Sequence, residues 1–426
     1  MVILWSSSAA IQEGGSVVIP VCLSSVPSSN VTLTASGTGL SVSGGSLVFT
    51  TSNFGVPQDL SVSVTNDATD TSGIETRKLV LVLSSSDSEY NGDTMFVGVK
   101  TFDGAYSVNA VLAQDTLQNR ASKYSAKGLD SLRTQLLFTL WGRYSVPSDA
   151  ATVTNASYSG TYKILNAVLS AECRELSFVI SFFTYKAYVF EPSSAPNGKI
   201  VYYTDGHFNT ATEGGHVPLL DSCLARGYVV AYIPMLAYFG STQYLTPVSQ
   251  IHTINPQTYI NSHPLSHFLN GYAVVVNYCE AHYEPSESVI MGLSGGGWAA
   301  TVYGALDSRM DKVFSMSGTQ PSYVNWYTGF GDFEQGFSSV TPAAINTFYS
   351  AAGRYLDLYS LCAYQRKYVQ VQARYDPCCF GGKYYQTWID PLSQVVLKVG
   401  GVYKHYLTQQ SCHCIGSKIS IILNEL

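Results

Sequence analysis

Ser288-Val-Ile-Met-Gly-Leu-Ser294-Gly-Gly-Gly-Trp298-Ala-Ala-Thr-Val-Tyr303 is the stretch on which the reading of this chain turns. Residues 288–291 make a short apolar strand, Gly292 to Gly296 form a G-x-S-x-G pentapeptide, and a helix is expected from Gly295. A serine on a sharp strand-to-helix turn needs very small neighbours two positions away on either side, which Gly292 and Gly296 supply. That layout makes Ser294 a candidate nucleophile. The helix beyond it offers backbone N–H groups and a positive dipole end to a developing oxyanion. The plainer reading of the same residues is a tight glycine turn in an α/β sheet.

The flanking sequence carries the same rhythm. Residues 176–190 read as a hairpin, 199–203 as a strand, 219–226 as a helix, 228–234 as a strand and 263–282 as a helix. Beyond the serine come strands at 312–317, 368–374 and 395–399, then a terminal helix at 417–423. Apolar runs of this length alternating with helices predict a mostly parallel sheet with helices on both faces.

Ala305-Leu-Asp-Ser-Arg-Met-Asp311 and Val313-Phe-Ser-Met-Ser-Gly-Thr-Gln-Pro321 follow the serine segment. With it, they make residues 176–426 resemble the α/β-hydrolase superfamily, in particular its dienelactone-hydrolase and acetyl-xylan-esterase-like branches. The resemblance implies a catalytic serine, acid and histidine in that chain order. Asp376 follows the strand Tyr368-Val-Gln-Val-Gln-Ala-Arg-Tyr375 and fits the acid, with Asp390 and Asp357 as alternatives. His413, in Ser411-Cys-His-Cys414 before the last helix, fits the histidine, with His405 as its competitor. The oxyanion hole is expected from the Gly295 N–H and a second one at His207 or Phe208, in Thr204-Asp-Gly-His-Phe-Asn209. Relatives often carry His-Gly-Gly or His-Gly-x there, whereas Asp205 stands in place of the usual histidine.

The nine cysteines are an odd number. If Asp376 and His413 meet, Cys378 and Cys379 lie in a loop beside Cys412 and Cys414, and a disulfide between the loops would clamp acid to base. Free buried thiols are the equal alternative. Zinc is disfavoured, because adjacent Cys-Cys and Cys-x-Cys spacings differ from the usual C-x2-C knuckle. His263 and His267 share an i,i+4 spacing without a third ligand nearby, so no metal and no other cofactor is expected. Tyr323, Trp326 and Tyr327 are candidates for a substrate pocket, with residues 321–339 as a lid over it; Trp298 reads as core.

Residues 1–100 read differently. Short β-branched runs at 17–23, 31–35, 47–50, 60–65 and 79–83, separated by Gly, Ser, Asn and Asp, predict an all-β sandwich. Glu13-Gly-Gly-Ser16, Cys22-Leu-Ser-Ser-Val-Pro27 and Pro57-Gln-Asp-Leu-Ser-Val-Ser-Val64 resemble immunoglobulin-like and Calx-β-like repeats of adhesins and phage structural proteins. That resemblance implies an attachment or spacer module. Asp67 and Asp70 are carboxylates of a kind that binds calcium, but no dense ligand cluster accompanies them and a solvated turn is the preferred reading. Residues 101–175 form a connector with one or two helices within 115–140.

Composition sets outer limits. The chain has 426 residues, 46% hydrophobic and 12% charged, about half the charged share usual in globular proteins. That excludes intrinsic disorder. A net charge of −6 without a Lys/Arg run argues against nucleic-acid binding, and no apolar run is long enough for a membrane span. Most of the imbalance sits in residues 1–100, with 3 basic and 8 acidic side chains. The start lacks a recognisable secretory signal; sequons stand at Asn30 and Asn155. Together these features lead to the expectation of a serine esterase acting on acylated surface carbohydrate, located outside the cell or on a virion surface, with the sandwich binding other structural proteins. A non-catalytic decoration protein that keeps the fold is the alternative.

Overall fold

The computed structural model describes residues 2–4, 8–65, 74–102, 117, 120, 123–155, 170–180, 183–206, 216–235, 263–322, 333–336, 343–374, 376, 380–381, 385, 388–410 and 412–426. Asp67 and Asp70 lie outside them.

Nine strands come first: β1 (Val2–Leu4), β2 (Ser8–Gln12), β3 (Ser16–Leu23), β4 (Val31–Gly37), β5 (Ser41–Ser43), β6 (Ser46–Phe49), β7 (Gln58–Ser63), β8 (Ile74–Ser84) and β9 (Thr94–Phe102). They form two sheets, ordered β1-β3-β7-β5 and β2-β9-β8-β4-β6. Pairing is antiparallel except between β2 and β9. Alternation drives the packing. On β7, Leu60 and Val62 are buried while Ser61 and Ser63 are partly exposed, and β4 buries Val31, Leu33 and Ala35 in the same way. Inward residues of both sheets meet in one apolar core that includes Val21, Leu33, Phe49, Leu60, Leu81 and Val97. This is a two-sheet sandwich.

A second, nine-stranded sheet follows: β10 (Thr152–Asn155), β11 (Ser170–Ile180), β12 (Phe183–Pro192), β13 (Lys199–Thr204), β14 (Val229–Tyr232), β15 (Glu287–Leu293), β16 (Lys312–Met316), β17 (Lys367–Ala373) and β18 (Val402–Thr408). Its order is β10-β11-β12-β14-β13-β15-β16-β17-β18. The first three strands pair antiparallel, and every pair from β14 to β18 is parallel. β10 and the start of β11 lie within the stretch read as a connector, and they extend this sheet.

Eight helices accompany the sheet among the described residues: α1 (Ala126–Trp141), α2 (His216–Ala225), α3 (Ser266–Tyr283), α4 (Gly295–Leu306), α5 (Ala343–Ala351), α6 (Leu356–Ala363), α7 (Ile389–Lys398) and α8 (Lys418–Glu425). Neighbouring residues of one strand feed opposite cores. Tyr202, Ile290, Val313 and Tyr368 join α1, α3, α4 and α6 on one face. Val201, Val289, Phe314 and Val369 join α2 and the α8 residue Ile422 on the other. Both faces are therefore covered, which is why these strands read as unbroken apolar runs.

One expected strand is a helix. Residues 395–399 lie mostly in α7, where Leu392, Val395 and Val396 are buried and Leu397 is 77% exposed. That i, i+3, i+4 spacing is helical, and the strand comes next, as β18.

Candidate active site

Ser294 stands between β15 and α4 with φ 58° and ψ −128°. A non-glycine residue rarely adopts this conformation, and it persists only where the surroundings fix it. Here backbone packs directly on backbone. A Cβ added to Gly292 would lie 2.4 Å from the carbonyl carbon and oxygen of Gly296. One added to Gly296 would lie 2.2 Å from the Thr204 carbonyl oxygen. These glycines are steric requirements of the turn, as the pentapeptide predicts. Trp298, four residues on, is fully buried and donates from Nε1 to Tyr349 Oη at 2.7 Å, so it is core as expected.

Asp376 follows β17 and His413 follows β18, so serine, acid and histidine all sit beyond the carboxyl ends of parallel strands in one run of the sheet. His413 Nδ1 lies 2.9 and 2.8 Å from the two carboxylate oxygens of Asp376. The Asp376 side chain is fully buried and that of His413 is 19% exposed. With Nδ1 donating to the carboxylate, Nε2 is the acceptor nitrogen, and it is buried without a hydrogen-bond partner among the described residues. The imidazole is thus oriented with a free basic nitrogen.

The competitors have other partners. His405 lies within β18, with Nε2 3.0 Å from Gln372 Oε1 and its ring stacked on Tyr385. Burial lowers its pKa to about 4. Asp357 accepts two bonds from Arg120 and one from Tyr124 Oη, which makes it a buried structural ion pair. Asp390 is exposed in the first turn of α7.

The cysteine expectation needs a correction. Cys412 and Cys414 are bonded to each other within one loop, bracketing His413, and neither reaches across to the acid loop. The turn brings their Cα atoms to 5.3 Å, inside the span a disulfide bridges. The Asp376–His413 bonds already join the two loops. Cys378 and Cys379 lie outside the described residues, as do His207, Phe208, Tyr323, Trp326, Tyr327 and most of the expected lid.

Two supports of the histidine loop carry no motif. Gln410 Nε2 donates to the Cys414 carbonyl at 2.7 Å, and Lys418 Nζ donates to the same oxygen at 2.7 Å. Lys418 opens α8 and is fully buried. Burial lowers its pKa to about 8, with the Asp376 charge opposing the shift. A lysine at the start of a terminal helix looks like a surface residue in sequence, so nothing local marked it. Among the described residues no group of three His, Cys, Asp or Glu side chains is placed to hold a metal, and no helix is long and apolar enough to cross a membrane.

No protein-family model and no curated protein sequence matches the chain. Solved structures do. A methylesterase aligns with TM-score 0.51 and 14% identity, covering 76% of this chain and 70% of its own. Acetyl xylan esterase 1 from Thermoanaerobacterium sp. JW/SL YS485 aligns with TM-score 0.45 and 13% identity, over 70% and 92% of the two chains. An acetyl xylan esterase from Paenibacillus sp. R4 gives 0.40 and 12%, over the same shares. At such identities the methylesterase likeness speaks for architecture alone. With the mixed nine-stranded sheet, the helices on both its faces and the turn at Ser294, it shows that the chain carries an α/β-hydrolase fold.

Proposed function

We propose that this chain is a serine carboxylic-ester hydrolase in which Ser294, His413 and Asp376 form the catalytic triad. The observation that carries the reading is the His413 imidazole, bonded through Nδ1 to a buried carboxylate, with no partner on Nε2 among the described residues. In the first half-reaction Ser294 Oγ attacks the acyl carbon while His413 Nε2 takes its proton. The tetrahedral intermediate collapses as His413 returns that proton to the leaving alcohol, and an acyl-serine remains. Water then attacks the acyl-serine with His413 again as base, releasing the acid and free Ser294. Asp376 fixes the imidazole tautomer and stabilises the imidazolium formed at each step. The Gly295 N–H, at the start of α4, is the first oxyanion donor in this scheme, and the stretch after β13 supplies the second.

For the substrate we favour an O-acetyl ester on surface polysaccharide, with the N-terminal sandwich as the attachment module of a virion or secreted adhesin-like protein. The support is architectural: a hydroxyl-rich β-sandwich precedes a hydrolase fold in one chain. Hydrolysis of p-nitrophenyl acetate by the native chain and by Ser294→Ala tests the reaction. Turnover by the native chain alone is expected, together with fluorophosphonate labelling that is lost in His413→Ala and kept in His405→Ala. Equal rates in the native and Ser294→Ala proteins overturn the proposal in favour of a non-catalytic decoration protein.

A further inference from the structure

A buried polar cluster stands beside the nucleophile turn and has no part in the triad. Asp205, immediately after β13, is 2% exposed, and His216, which opens α2, is 1% exposed. Asp205 Oδ2 accepts from Tyr232 Oη at 2.6 Å, and Oδ1 faces His216 Nδ1 at 3.6 Å. The rings of Tyr203, Tyr232 and His216 stack on one another with centroids 5.8–6.2 Å apart. Among the described residues neither ring nitrogen of His216 has a hydrogen-bond partner, and the acidic group it faces is the Asp205 carboxylate. Asp205 and His216 thus face each other at the two ends of the segment that joins β13 to α2.

That segment begins against the nucleophile. A Cβ added to Gly206 would stand 2.4 Å from Ser294 Cβ and 2.9 Å from Ser294 Oγ. One added to Gly296 would meet the carbonyl oxygens of Thr204 and Asp205 at 2.2 and 2.6 Å. Little slack exists between the backbone of 204–206 and the turn that carries Ser294. The Asp205 side chain is turned into the protein, onto Tyr232 and His216. A buried carboxylate is costly unless it is paired. If either partner is removed, Asp205 must find another, and the backbone on either side of it moves with it.

We infer that Asp205, held by Tyr232 and His216, is a positioning residue that sets the backbone of 204–206 against Ser294 and so fixes the oxyanion side of the site. The inference rests on the serine-hydrolase reading. Its test is a split between kcat and KM for p-nitrophenyl acetate in the full-length chain, read beside fluorophosphonate labelling and thermal unfolding. His216→Phe keeps the stacked ring and removes the polar nitrogens; Tyr232→Phe removes one hydroxyl. Each is expected to lower kcat about tenfold or more, toward the roughly 10²–10³-fold loss seen when an oxyanion donor is removed. KM should stay within about twofold and the protein should remain folded. Asp205→Ala should lose the most, and Asp205→Asn, whose amide oxygen still accepts from Tyr232, should recover part of that loss. Native-like kcat in folded His216→Phe and Tyr232→Phe overturns the inference while the esterase reading stands. A native chain that neither hydrolyses ester nor labels at Ser294 overturns both.

Discussion

The sandwich and the nine-stranded sheet differ in which residues take a positive φ. Among the described residues of the sandwich, every positive φ belongs to a glycine: Gly14, Gly39, Gly44 and Gly92. Among the described residues of the C-terminal part seven non-glycine residues have positive φ, including Ser294 and Ser317, which follow the neighbouring parallel strands β15 and β16. The difference teaches where strain is tolerated. A two-sheet sandwich places its turns at the surface, where glycine relieves any unfavourable φ at little cost. Glu284, Arg354 and Gln365 are exposed, but at the ends of β15 and β16, in a sheet enclosed on both faces, the packing holds Ser294 and Ser317 in a conformation they would otherwise leave. One of those residues is the candidate nucleophile.

If the contrast is correct, chemistry and stability separate between the two regions. The largest expected effect is on chemistry: Asp376→Asn should keep the fold and reduce kcat by about 10⁴-fold, because the His413 tautomer is no longer enforced. Steady-state kinetics with a chromogenic ester check this, and a loss under about tenfold would place the acid elsewhere. The next effect is on stability alone. Leu33→Ala opens a cavity in the sandwich core and should cost about 2–5 kcal/mol in denaturant unfolding of that region, with kcat unchanged. A parallel fall in kcat would break the comparison by showing that the regions are coupled.

Gly296→Ala tests the enclosed turn. The new methyl meets the Thr204 carbonyl, so a cost of about 1–3 kcal/mol is expected, accompanied by loss of fluorophosphonate labelling. Normal labelling in that variant would mean the turn is looser than its contacts imply. The smallest effect concerns Lys418, whose pKa is lowered to about 8, chiefly by burial. Between about pH 8 and the ordinary lysine value near 10.4 the unfolded chain binds the extra proton, so stability should rise with pH across that window. Lys418→Met should lack the rise, as urea titrations at pH 7.5 and 9.5 would show. An identical slope in both proteins would mean that Lys418 is solvated.

Legibility in sequence followed the range of the interactions. The sandwich strands at 17–23, 31–35 and 60–65 were readable because period-2 alternation is local and one face is solvated. The strands β13, β15, β16 and β17 were readable as short apolar runs between helices. The segment 395–399 reads as a strand because a short apolar run does not distinguish strand from buried helix face. Leu392 and the exposed Leu397 decide it, and only burial separates them. Nothing in the local sequence prefers the Cys412–Cys414 bond inside the loop over one between loops.

The sequence by itself determined the turn at Ser294. Its requirements are steric and local, and Gly292 and Gly296 state them within five residues. Chain order likewise marked Asp376 and His413, because a parallel sheet delivers successive strand ends to one edge. Tertiary structure alone decided that His413, and not His405, meets Asp376. It also decided that Asp205 turns inward to Tyr232 and His216, and that Lys418 is buried beneath the histidine loop. Each of these turns on which face of an element is enclosed and which partner waits there, and such contacts join residues that no local pattern connects.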